Sequence, residues 1–456
     1  MVFKMTKSTT DYLVRPRIGV VGLAFPGYQL GEELSSGKFR EMLNHLSSLP
    51  VEVIVGSKIV TDNSTSGEIG NEFNRAEVDG ILAVITTFVP DHFLVGLLDK
   101  CNAPVFLWCL ERELKCLSTV CGPMITATLH ELGKHYFLAA SDLDEPETSE
   151  DFLVFARVGA MRRILRDLRV GYAGGKNDIM FSMTADDYTL KQAFGTTTIT
   201  IPMEEFYQES ERVADQQALE CWQVLRGKVG CCTATDRDGV LSAKYYLAAR
   251  ALCEKHGLDA LSINCFPHLK SKICLAVARL NDDGIASACE GDLYSTVLMH
   301  LFARLTGQAA FNGDFLRMYP DANEILFSHC GAGAFSLATK KDDIKLQASI
   351  ETCDGLAVCY PTRASGTMTL ANLMGARNTF RLSSVSGQSV ATSTEYEGTP
   401  IRVRFSRPVK EILRSIAAGG AGHHWNGAFG DFSRELKMLC EWKGIQFNML
   451  SDDRQE

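Results

Sequence analysis

What most constrains this chain is an alternation. Short apolar runs at Arg17–Leu23, Val51–Val55, Asp79–Ile85 and Pro104–Trp108 are separated by stretches of helical spacing such as Glu33–Leu46. Strands that read as continuous apolar runs are buried on both faces, so this pattern builds parallel sheet covered by helices. It then restarts. A helix through Phe152–Leu168 leads into Arg169–Gly175, a strand ending in glycines like the one at residues 17–22. Further strands follow at Thr196–Ile201 and Ala260–Asn264, with a helix, Ser242–Lys255, between them. In that helix Tyr245, Tyr246, Ala249 and Leu252 recur at helical spacing and read as core. The acidic, Pro-containing stretch Asp142–Glu150 reads as a surface connection between the halves, and residues 1–14 as a polar tail.

From about residue 345 the texture changes. Short β-type runs appear at Leu356–Tyr360, Gly366–Leu370, Thr379–Leu382 and Ile401–Phe405, separated by turn residues. These imply antiparallel structure, a small barrel or sandwich. A helix at Asp431–Lys443, with Leu436, Leu439 and Cys440 on one side, ends at Gly444 before a last strand, Ile445–Phe447. The expected fold class is α/β: two Rossmann-like parallel-sheet domains, residues 15–160 and 161–310, followed by a β-rich, barrel-like C-terminal domain, 311–456.

Composition narrows the function classes. A net charge of −9 offers no large electrostatic footprint for nucleic acid. No apolar run approaches the roughly 18 residues of a membrane span. The 15 cysteines are odd in number and scattered, without Cys-x-x-Cys or regular zinc spacing. With no apolar leader at the N-terminus, they read as reduced thiols of a cytoplasmic protein. Gly19 and Gly22 do not complete a dinucleotide fingerprint. The loop Gly174–Asp178 is a glycine turn that could also cradle an anion.

Two carboxylates stand at the ends of an apolar helical run: Glu290 in Ala288–Asp292 and Asp314 in Phe311–Phe315. Leu293, Val297, Leu301 and Leu305 make the helix between them, amphipathic by spacing and stopped at Gly307. Much later comes Gly419–Trp425, a glycine-rich bend holding His423 and His424, and Ser328–Ala334 is a second such bend with His329. Carboxylates with imidazole favour Mn²⁺, Mg²⁺ or a similar ion over structural zinc. Such an ion grips two sugar oxygens and polarises a carbonyl, while a carboxylate beside it takes the adjacent carbon's proton. Each residue has a plainer reading: Glu290 as a charge near a helix N-terminus, Asp314 as a turn residue, and the histidines as loop filling.

The blocks Ala288–Asp292 and Phe311–Asp314, with the later Gly422–Trp425 and Gly430–Asp431, resemble the L-fucose isomerase/L-arabinose isomerase superfamily, more closely its L-fucose isomerase side. The resemblance implies Glu290 and Asp314 as metal ligands and acid/base pair, and His424 as the third ligand. His329 and His423 are further candidates for the metal shell. It implies Mn²⁺ foremost, with Mg²⁺, Co²⁺ or Zn²⁺ as alternatives. The reaction would be aldose–ketose interconversion through an enediol, in a homo-oligomer, often a hexamer, whose neighbouring subunit helps close the active site. Trp425 and Tyr360 are candidates for contact with the sugar, and Arg363 and Lys176 for a charged substituent such as a sulfonate. The N-terminal arginine contact of those enzymes lacks a counterpart, since Arg17 precedes its strand. Two other readings stand beside this one: a sugar-binding or regulatory protein, and a metal-dependent hydrolase.

Overall fold

A computed structural model describes residues 13–451 apart from 29–31, 111–116, 350–351, 353–354, 377–378 and 394–396. The polar tail expected at residues 1–14 lies almost wholly outside them. The chain forms two compact units, Val14–Arg163 and the part that begins at Ile164.

The first unit is built on β1 (Arg17–Leu23), β2 (Glu52–Val55), β3 (Gly80–Ile85), β4 (Val105–Cys109) and β5 (Tyr136–Ala140). All pair in parallel, in the order β2-β1-β3-β4-β5. Strands β3 and β4 are buried at every residue, as their unbroken apolar sequences require. β5 is a strand beyond the four that the sequence pattern picks out, and at the sheet edge its residues are mostly half exposed. The helix Asn63–Arg75 is fixed at its start by a capping box of Asp62 and Thr65. The stretch Asp142–Glu150 is only in part a connection. The helix Pro146–Asp167 begins inside it, because proline suits the first helical position and Glu147 suits the dipole there.

The second unit opens with β6 (Arg169–Ala173), β7 (Thr197–Ile201), β8 (Cys231–Cys232), β9 (Ala260–Ile263) and β10 (Ala286–Ala288). Four of these form a parallel sheet ordered β10-β9-β6-β7. Then come β11 (Phe311–Tyr319), β12 (Glu324–Ser328), β13 (Lys345–Ala348) and β14 (Leu356–Cys359). After them run β15 (Thr367–Ala376), β16 (Thr379–Val390), β17 (Ile401–Arg404), β18 (His424–Phe429) and β19 (Gln446–Met449). Strands β15-β18-β11-β12-β17-β16 pair in that order and β16 returns to β15, closing a six-stranded antiparallel barrel, with β19 added in parallel on β16. Closure removes the sheet edges. The run at Leu356–Tyr360 lies outside the barrel: β14 pairs with β13, which also pairs with β8.

The helix Leu293–Thr306 departs from expectation. Every residue from Leu293 to Phe302 is buried, so it is apolar-packed all round rather than amphipathic. It packs on one side against β9 and β10 and on another against β15 and β18, so it has no wet face over that length. Each large apolar side chain it buries contributes about 1.5–3 kcal/mol relative to exposure.

Candidate functional site

Glu290 lies two residues past the end of β10, at the carboxyl end of a parallel sheet, where open α/β sheets present ligand-binding groups. Its backbone is left-handed, φ 63°, and that of Gly291 is too, at 68°. A glutamate there costs on the order of 1–2 kcal/mol. Gly291 is required: a Cβ on it would meet the Gly175 carbonyl oxygen at 2.5 Å. The double left-handed turn swings the chain off the sheet and into the helix that follows.

Asp314 is a strand residue, not a turn residue. On β11 it stands opposite His424 of β18 on one side and Ser328 of β12 on the other. His424 likewise opens a strand, where the sequence suggested a glycine-rich bend; the bend ends at His423 because extended pairing with β11 satisfies the backbone beyond it. His329 directly follows β12. Three neighbouring barrel strands therefore deliver Asp314, His329 and His424 to the place reached by Glu290.

The geometry is convergent. His424 Nε2 lies 3.6 Å from Glu290 Oε2 and 3.6 Å from Asp314 Oδ1, and 3.2 Å from His329 Nε2. His423 Nε2 stands 3.9 Å from Glu290 Oε2 and 4.0 Å from Asp314 Oδ1. Glu290 Oε2 is buried and has no hydrogen-bond partner, an expensive arrangement for a carboxylate oxygen. Burial pushes the Glu290 carboxyl up, but the imidazoles of His423, His329 and His424 beside it outweigh that and hold it below its usual range. The same pairing with Glu290 raises His423.

A cation could be held in two overlapping triads, Glu290–His423–His424 and Asp314–His329–His424, each with its donor atoms within 4.8 Å of one another. The donor set of carboxylate oxygens and imidazole nitrogens, with one oxygen left orphaned, fits a divalent ion of the Mn²⁺ class.

Asp292 is absent from the sequence reading. Its Oδ2 accepts from His424 Nδ1 at 2.8 Å and from Ser295 Oγ at 2.6 Å. Its Oδ1 caps the helix by accepting from Ser295 N at 2.9 Å. With a carboxylate on Nδ1, His424 carries its proton there and turns an Nε2 lone pair toward Glu290 and Asp314, the usual outer support of a metal-ligating histidine. Burial raises the Asp292 carboxyl, but the His424 and Ser295 contacts dominate and keep it low. An aspartate just ahead of an apolar helix was the readable signal, though only as a cap. Asn372 also fixes the bend, donating to the His424 carbonyl and accepting from Gly422 N.

The other candidates lie elsewhere. Trp425 is wholly buried and pairs with Gly313, so it points away from the face that carries Asp314 and His424, into the core. Tyr360 is also wholly buried and donates to the Ala334 carbonyl. As placed, both are packing residues and not walls of the acid–imidazole cluster. Arg363 is engaged by the Ser336 carbonyl and Gln308 and lies over the Phe429 ring. Lys176 lies on a loop tied by Asn264 to the turn that carries Glu290, with its Nζ 4.8 Å from the Phe181 ring centre. A shallow cleft is bordered by Ser182, Met183, Asp292, Tyr294, His423 and His424, though not by Glu290 or Asp314.

Curated relatives agree on an enzyme class. A protein of Priestia aryabhattai named sulfoquinovose isomerase is 22% identical over 395 residues, 84% of this chain and 88% of its own. One of the same name from Clostridium sp. (strain MSTE9) is 23% identical over 442 residues, 93% of this chain and 97% of its own. A third, from Alkalicoccus urumqiensis, is 22% identical over 381 residues, 81% and 85%. The chain is an isomerase enzyme. No protein-family profile matches it. Among solved structures, an ABC transporter solute-binding protein from Burkholderia multivorans aligns with 65% of this chain and 95% of its own at 12% identity. Its TM-score of 0.16 carries no structural argument. Among the described residues no helix is long and apolar enough to cross a membrane.

Proposed function

We propose that the protein is a divalent-metal-dependent aldose–ketose isomerase of the L-fucose isomerase-like type, acting on a sulfonated sugar such as sulfoquinovose. The observation that carries this reading is that Glu290 and Asp314 both converge on His424 Nε2, at 3.6 Å each, with the Glu290 oxygen left orphaned. The relatives' shared name supports the substrate class.

Glu290, Asp314 and His424 would hold the ion, with His329 or His423 completing the set. When bound, that ion supplies a grip on adjacent sugar oxygens and polarisation of the carbonyl. The chain's own groups do the rest. Glu290, kept ionised by its histidine neighbours, accepts the proton from the carbon beside the carbonyl. The C–H electron pair forms the enediol C=C bond as the carbonyl oxygen takes a proton. Asp314, on the other side of the cluster, gives the carbonyl oxygen that proton and takes the one leaving the neighbouring hydroxyl as the new C=O forms, while Glu290 returns its proton to the former carbonyl carbon. His424 is held in one tautomer by Asp292 throughout. Lys176, on the loop packed against the Glu290 turn, is the candidate cation for meeting a sulfonate.

The test is incubation of the protein with sulfoquinovose and Mn²⁺ in deuterated water. A ketose product with deuterium at the carbon next to the carbonyl is expected. Glu290→Gln and Asp314→Asn should each lose turnover by at least a thousandfold while keeping the fold. Lys176→Ala should raise KM for the sulfonated sugar and leave kcat nearly unchanged. Near wild-type turnover in either carboxylate variant contradicts the assignment of that residue.

A further inference from the structure

We propose a second cation site, for a soft metal, formed by Cys289, Cys330 and His329, whose filling takes His329 away from the carboxylate–imidazole cluster. Cys289 directly follows β10 and Cys330 directly follows His329, so two separate chain segments bring their thiols to one imidazole. Cys289 Sγ lies 3.9 Å from His329 Nδ1 and 3.7 Å from Nε2. Cys330 Sγ lies 3.1 Å from Nδ1. One donor atom from each of the three residues falls within 4.8 Å of the others. Two more thiols surround them, Cys265 within hydrogen-bonding reach of Cys289 and Cys274 within reach of Cys330. All four are free.

An isolated buried cysteine is a small apolar residue. Two thiols on one histidine, with two more beside them, make a donor set that thiophilic ions select and that Mg²⁺ or Mn²⁺ do not. Cys330 is partly exposed, which gives an ion a way in. Binding would cost each ligating thiol its proton as the sulfur–metal bond forms, with no change of oxidation state. His329 Nδ1 now accepts from the Cys330 backbone N–H at 2.9 Å; the soft ion would use that lone pair. Filling would lock the neutral ring's proton on Nε2, the nitrogen 3.2 Å from His424 Nε2, so that the ring could no longer shift to the other tautomer and offer that nitrogen's lone pair to an ion between His424 and Asp314. The competition rests on the metal-dependent reading above; the thiol site does not.

The probe is cadmium chloride, titrated into chelator-treated full-length protein and followed by thiolate-to-cadmium charge-transfer absorption. A band that saturates near one equivalent is expected, with release of one proton per ligating thiol. Cys289→Ser and Cys330→Ser should each lose most of it, and the exposed Cys231→Ser should keep it. Cys289→Ala and Cys330→Ala, checked by circular dichroism, serve if a serine variant misfolds. No band in the wild type, or a full band in both site variants, overturns the site. Mn²⁺ affinity, read separately by electron paramagnetic resonance, should fall at least tenfold on cadmium loading. An unchanged affinity overturns the competition while leaving the isomerase reading standing.

Discussion

Asp292→Asn tests how the site is held. The carboxylate is at once a helix cap and the partner of His424 Nδ1. Asparagine keeps the cap, because its oxygen can remain on Ser295 N. Its amide then occupies the place of Oδ2 and presents N–H to His424 Nδ1. The imidazole must move its proton to Nε2, so a hydrogen points at Glu290 and Asp314 where a lone pair did. Losses of such outer partners cost about 10–100-fold in metal affinity or activity, or roughly 1.4–2.8 kcal/mol. Both side chains are nearly buried, 2% and 11% exposed, so solvent cannot replace the bond. Asp292→Ser separates the roles: it caps the helix but leaves Nδ1 without its carboxylate. Mn²⁺ binding by electron paramagnetic resonance, steady-state kinetics and histidine ¹⁵N shifts read the outcome. Both variants should unfold within about 2 kcal/mol of wild type yet bind Mn²⁺ at least tenfold more weakly. Wild-type affinity in a folded Asp292→Asn protein, with His424 still protonated on Nδ1, would refute the reasoning.

Two further predictions concern stability. Burial, with Arg304 nearby, pushes His300 down to about 3 from 6.5. The unfolded chain takes up a proton below pH 6.5 that the folded chain refuses, so stability is full above that pH and falls as pH drops toward 3. The contribution is at most about 1.4 kcal/mol per pH unit, and His300→Gln should flatten the urea-midpoint slope between roughly pH 6 and 4 by that amount; an unchanged slope counts against it. Glu324 is 1% exposed and pairs with Arg402 at 2.5 Å and Arg404 at 2.7 Å. Glu324→Leu should destabilise by about 3 kcal/mol, the low end for a broken buried pair because Arg404 is half exposed. Denaturant unfolding that moves by less than about 1 kcal/mol would contradict this.

The strands that could be read from sequence were those with one uniform environment. β1, β3 and β4 lie inside a parallel sheet, so burial on both faces leaves an unbroken apolar run. Strand β11 was obscured because Asn312, Asp314 and Arg317 interrupt its apolar pattern, and two of these serve the site or its network. The helix read over residues 293–305 runs Leu293–Thr306, but the spacing of its leucines and Val297 implied a wet face, on which the polar Ser295 and Thr296 would lie. Both are buried and bonded to Asp292. Glu290 and Asp314 stood out as carboxylates beside apolar runs, yet that they face each other across His424 depends on barrel register, which no local pattern encodes. The thiols around His329 become meaningful only when segments 40 residues apart meet, and Asp292 only when segments 132 residues apart do.

The central claim is that Glu290, Asp314 and His424 share one divalent cation. Anomalous diffraction at the manganese edge, from crystals grown with Mn²⁺, tests it most directly. The account predicts a single strong peak within bonding distance of a carboxylate oxygen of Glu290, one of Asp314 and Nε2 of His424. A manganese peak elsewhere, with those three side chains left uncoordinated, would contradict it.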